Sequence, residues 1–70
     1  MNKHTAENIK NLALESITSL TKILSISQNS TSIEDYEQLR RGVGIAIGEI
    51  QCGVLDILYD KFPDIDDLNH

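Results

Sequence analysis

The chain has 70 residues, of which 40% are hydrophobic and only 4% aromatic, and a net charge of -5. That length allows one small domain, residues 1–70, whose Ile-, Leu- and Val-rich core barely offsets chain entropy without a second copy. The composition excludes intrinsic disorder, and the negative charge disfavours nucleic acid and anionic lipid as partners.

From Thr5 to Ser27 the apolar residues Ala6, Ile9, Leu12, Ala13, Ile17, Leu20, Ile23 and Leu24 recur at helical spacing. This predicts an amphipathic first helix, with Thr5 as N-cap and Glu7 favourably placed in the first turn. The other face is rich in hydroxyls (Thr18, Ser19, Thr21, Ser25), which lowers helix propensity, so packing must hold the segment. Leu14 and Ile26 fall off the main stripe.

Residues 27–31, Ser-Gln-Asn-Ser-Thr, contain no apolar side chain and read as a short connection. Thr31-Ser32-Ile33-Glu34 then has the form of a capping box, with Thr31 as the cap. A second helix is predicted over residues 32–62, and Pro63 ends it. A strand over Val43 to Ile47 is the competing reading, and the helical stripe on both sides of it argues against that.

The second helix has too much apolar surface for one neighbour. Tyr36, Leu39, Val43, Ala46, Ile47, Ile50, Val54, Ile57 and Leu58 form one stripe, and Gly44, Gly48, Cys52, Leu55, Tyr59 and Phe62 form a second band beside it. A helix apolar around most of its circumference is buried on more than one side. Equal folding about the connection places Thr5 opposite Val54, so Leu55, Ile57, Leu58, Tyr59 and Phe62 extend past the first helix. The expected fold is therefore all-α: an antiparallel hairpin of two helices, about 5–27 and 32–62, that dimerises into a four-helix bundle. The expected dimer interface is Gly44, Gly48, Cys52, Leu55, Ile57, Leu58, Tyr59 and Phe62, with Gly44 and Gly48 allowing close helix approach.

Residues 63–70 form a short acidic tail, in which Ile65 and Leu68 are spaced to tuck against the end of the hairpin. Residues 49–70 carry Glu49, Asp56, Asp60, Asp64, Asp66 and Asp67 against Lys61 alone, whereas charges in residues 1–48 cancel. Asp56, Asp60, Asp64, Asp66 and Asp67 thus form a second candidate surface, suited to docking a basic protein. Acids that merely keep an apolar end soluble are the plainer reading.

Signals for chemistry are weak. The glycines lack dinucleotide- or phosphate-binding spacing. Cys52 has no motif that assigns it a base. His4 and His70 stand at the chain ends without metal-ligand spacing, and the single basic pair, Arg40-Arg41, does not make a DNA-recognition helix. No enzymatic activity, metal or cofactor is expected. One cysteine and an N-terminal MNKHTAENIKN without an apolar signal core point to a cytoplasmic protein. Glu49, Gln51 and Asp56 interrupt the longest apolar run, so no membrane partner is expected. The function read from these features is a non-enzymatic interaction module that self-associates through its second helix. The alternative is an acidic immunity- or inhibitor-type protein that caps a basic surface of a nuclease, toxin or nucleic-acid enzyme.

Overall fold

The computed structural model describes residues 1–65 and is all-α. Helix α1 spans Lys3–Ser27 and α2 spans Ile33–Ile50. A π turn, Gln51–Leu55, leads without a break into α3, Asp56–Lys61, and a 3-10 turn follows at Pro63–Ile65. Together α2, the π turn and α3 make one 29-residue helix, Ile33–Lys61, which packs antiparallel to α1. By length and composition this helix is apolar enough to cross a membrane. Over 18 consecutive residues it carries no more than two charged side chains, and Glu49, Gln51 and Asp56 still interrupt its apolar run. Core helices of soluble bundles share this composition, and α1 packs along this one.

Local chemistry sets the helix ends. Asn2, not Thr5, caps α1: its side-chain Oδ1 accepts from the Thr5 N–H at 2.8 Å. Ser32, not Thr31, caps α2, its Oγ accepting from the Asp35 N–H at 3.1 Å. Thr31 instead donates its hydroxyl to the Ser27 carbonyl at 2.9 Å and so closes the connection. An Asn or Ser one turn upstream of a free N–H serves the same purpose as the caps expected from sequence. The hydroxyls of Ser16, Thr18 and Thr21 donate to the carbonyls four residues earlier, which satisfies them within α1.

The core lies at the open end of the hairpin, away from the connection. Ala6 and Ala13 of α1 meet Leu55, Leu58 and Ile65 there, with Ile9, Ile17, Ile50, Val54, Tyr59 and Phe62 packed around them. Small alanines let the two helices approach closely. Leu58, at 2% exposure, is the most enclosed large side chain, and Leu55 is 5% exposed. The expectation that Leu55 and Leu58 extend beyond α1 and form the dimer contact is therefore corrected. Both are covered within the chain and present almost no surface to a second copy.

Three features account for the difference. Capping by Asn2 starts α1 two residues earlier than expected. The Pro63–Ile65 turn folds back over the hairpin's end, where Ile65 is buried and its carbonyl accepts from Lys10 Nζ at 2.7 Å. The π turn supplies the third. Its Asp56 N–H bonds to the Gln51 carbonyl, five residues back, so the helix carries one extra residue there. Counted from Val43 at about 100° per residue, an unbroken helix would place Leu55 and Phe62 at least about 100° away and Ile57 within about 40°. The extra residue turns everything downstream by about 100°, bringing Leu55 and Phe62 to within about 20° of Val43. Ile57 swings to the outside and is 49% exposed.

Toward the connection the hairpin is thin. Val43 is the one large buried side chain of α2, while Leu39 is exposed and Ile33 is 80% exposed. The radius of gyration is 14.7 Å, against about 11 Å for a compact 70-residue domain.

Candidate functional site

The π turn that rotates the core also shapes the surface beside it. Leu14 and Ile17 of α1 form one wall of an open groove of about 540 Å³. Gln51, Cys52 and Leu55 of the π turn, with Asp56 and Tyr59 of α3, form the other wall. Leu14, read from sequence as off the main stripe, thus has a definite place. A heptad-style count along the second helix finds Cys52 and Tyr59 but cannot find the groove, because only the inserted residue turns Tyr59 from about 160° to about 60° from Val43, toward the α1 side.

Of the expected interface residues, Gly44, Cys52 and Ile57 are exposed and Gly48, Tyr59 and Phe62 are half-buried. Only Leu55 and Leu58 are withdrawn into the core. The glycines are not used for close packing inside the chain: a Cβ built on Gly44 or Gly48 would meet nothing within 4 Å. That seam of α2 faces open space.

The acidic end is less purely acidic than its sequence. Asp64 is ion-paired with Lys3. The Lys3 ammonium, by hydrogen bond and charge, holds the Asp64 carboxyl below the ordinary aspartate range, and the Lys3 pKa is raised in return by the same hydrogen bond and charge. Lys10 sits about two helical turns further along, bonded to the Ile65 carbonyl. Asp56 and Asp60 are exposed. Asp66 and Asp67, and the expected contact of Leu68, lie outside the described residues, as does His70.

Near the loop end of α2, Glu37 accepts from Arg40 at 2.7 Å, which lowers the Glu37 pKa and raises that of Arg40. Arg41 makes no ion pair among the described residues.

The groove is apolar with one carboxylate and one thiol at its edge. Cys52 is a free, exposed cysteine, and among the described residues no side chain hydrogen-bonds its thiol. Among the described residues no three His, Cys, Asp or Glu side chains are grouped to hold a metal ion. Such a surface suits apolar contact rimmed by charge. Comparison with protein-family models, curated proteins and solved structures returns no match.

Proposed function

We propose that the protein is a non-enzymatic helical interaction module whose main biochemical property is self-association through the long second helix. The observation that carries this reading is the imbalance between core and surface. Among the described residues no large side chain is completely buried, while Leu12, Ile26, Ile33, Ile45 and Ile57 are 49–80% exposed. Each such side chain gains roughly 1.5 to 3 kcal/mol when fully covered. A second copy supplies that cover where a 70-residue chain cannot.

The interface proposed from sequence is accordingly revised. Gly44, Gly48, Cys52 and Ile57 remain available, Tyr59 and Phe62 offer only the part of their surface not packed against the core, and Leu14 of α1 joins them at the groove. The alternative of an acidic protein capping a basic surface draws support from exposed Asp56 and Asp60. It is weakened by Asp64, whose carboxylate is occupied by Lys3.

Sedimentation equilibrium over a wide concentration range tests the reading. A dimer that dissociates on dilution, and is weakened by Gly48→Leu with helicity retained, supports it. Because a Cβ at Gly48 would meet nothing within 4 Å, the backbone there accepts a side chain without a clash at Cβ, and the retained helicity checks that the rest of the leucine leaves the single chain folded. A folded monomer at millimolar concentration would sink the proposal.

A further inference from the structure

The first helix has an unpartnered face of its own. Ile9, Leu12, Ser16, Ser19, Ile23 and Ile26 follow one another at alternating steps of three and four, the spacing of a coiled-coil seam. Leu12, Ile23 and Ile26 are 63%, 40% and 72% exposed, and Ile9 is half-buried. The two serines lie between the large side chains, so the seam dips at its middle. There Leu12, Ser16, Ser19 and Ile23, with Glu15 and Leu20, line an open saddle of about 470 Å³. At about 100° per residue the seam is centred about 100° around α1 from Ala6 and Ala13, which face the second helix, and about 170° from Leu14, which lines the groove. It is the opposite edge of the hairpin from that groove.

The charges beside the seam indicate what covers it. Glu15 and Lys22 stand on the same flank, seven residues apart, each one position before a seam residue. Neither makes an ion pair among the described residues, and at about 10 Å along the axis they are too far apart to pair with each other. We infer that a second copy docks here, its α1 antiparallel to the first, about a two-fold axis between Ser16 and Ser19. This contact goes beyond the one proposed for the second helix and is independent of it.

A two-fold contact is self-complementary, so each residue meets one equally far on the other side of the axis. Leu12 then meets the partner's Ile23, Ile9 the partner's Ile26, and Ser16 the partner's Ser19. Large side chains face large ones at both ends, and the small pair in the middle lets the backbones approach closely. Lys22 comes within about 3 Å, measured along the axis, of the partner's Glu15. The symmetry forms that ion pair twice, on the flank positions that set the orientation of paired helices. A parallel pairing matches the seam equally well but leaves Glu15 beside the partner's Leu20 and Lys22 beside the partner's Ser27, with no opposite charge for either.

Sedimentation of the full chain carrying Gly48→Leu isolates this contact from the one proposed for the second helix. That variant forms a dimer that dissociates on dilution. Adding Lys22→Glu weakens the dimer on the order of tenfold, and adding Glu15→Lys as well restores it, because each dimer contains the pair twice. Cross-linking in a Cys52→Ser background reads the direction. Two copies of Leu12→Cys lie about 16 Å apart along the antiparallel seam, as do two copies of Ile23→Cys, beyond the roughly 7 Å limit for a disulfide. Each variant alone therefore stays uncross-linked under mild oxidation, and an equimolar mixture yields the covalent heterodimer. Disulfides within each variant alone, or failure of the charge exchange to restore affinity, overturn the antiparallel pairing. A Gly48→Leu chain that is folded and monomeric throughout overturns the α1 contact and leaves the second-helix reading standing. Assembly unchanged by Gly48→Leu but weakened by Lys22→Glu supports the α1 contact and sinks the second-helix one.

Discussion

Lys10 and Ile65 lie 55 positions apart in sequence, yet the lysine Nζ donates to the Ile65 carbonyl at 2.7 Å. This bond and the Lys3–Asp64 ion pair hold the Pro63–Ile65 turn against the first turns of α1. They act at the end where the core is thickest. Replacing Lys10 with Met keeps the aliphatic stem and removes the donor, so we expect a loss of about 1 kcal/mol. Urea unfolding measures it, and an unchanged midpoint would mean that Ile65 is held by its apolar contacts alone.

The two neighbours Ile57 and Leu58 should respond very differently to truncation. Leu58→Ala opens a cavity in the core and is expected to cost about 2 to 5 kcal/mol, enough to unfold a chain this small. Ile57→Ala removes an outward side chain and should shift unfolding of the monomer by no more than about 0.5 kcal/mol. Thermal melts at dilute concentration make the comparison. Equal losses would show that the register through the π turn is not the one described.

Deleting Gly53 should be tolerated, contrary to the usual effect of a deletion within a helix. The π turn contains the one surplus residue, so its removal leaves Leu55, Leu58 and Phe62 on the α1 side and converts the turn to regular α-helix. Circular dichroism should show equal or greater helicity, with stability within about 1 kcal/mol of the parent or above it, as loss of a helical glycine favours. Inserting one residue after Gly53 should rotate Leu55 and Leu58 outward and cost at least about 3 kcal/mol.

The ion pair between Lys3 and Asp64 makes stability depend on pH at both extremes. The folded-state pKa of Asp64 is lowered from 3.8, so its contribution is present above that value and is lost as pH falls through the lower folded pKa. The pKa of Lys3 is raised from 10.5, so its contribution is present below that value and is lost as pH rises through the higher folded pKa. Between these limits the pair contributes a constant amount, small because both groups are exposed. An NMR titration of Asp64 should give a midpoint below 3.8 that returns toward it in Lys3→Met. A midpoint that does not move would remove the pair from solution.

At the other end, Ser32→Ala should cost about 1 kcal/mol by releasing the Asp35 N–H. Thr31→Ala loses the hydroxyl bond to Ser27 instead and should leave the start of α2 where it is. Amide exchange at Asp35 distinguishes the two.

Much of this architecture was already legible in the residues. The helical spacing of Ala6, Ala13, Ile17 and Leu24 along α1, the apolar-free connection, and Pro63 as a stop all depend on local chemistry, which a single strand of sequence carries. The excess of apolar surface on the second helix was equally plain. Which of its residues lie inside was not. Equal folding about the connection carries Leu55, Ile57 and Leu58 past α1, and a uniform 100° step sets Ile57 beside Leu58 on the main stripe with Leu55 outside it; the π turn breaks that step between Gln51 and Leu55. No residue in Gln-Cys-Gly-Val-Leu demands an extra residue in the turn. It forms because packing Leu55, Leu58 and Ile65 against Ala6 and Ala13 outweighs the weaker π geometry, and that balance exists only once both helices and the returning Ile65 turn are in place. The sequence by itself determined two helices, their ends to within a few residues, and a helix too apolar for one neighbour. Tertiary structure decided which side of that helix is core and which is left for a partner, because facing depends on register, and register is set by contacts far apart in the chain.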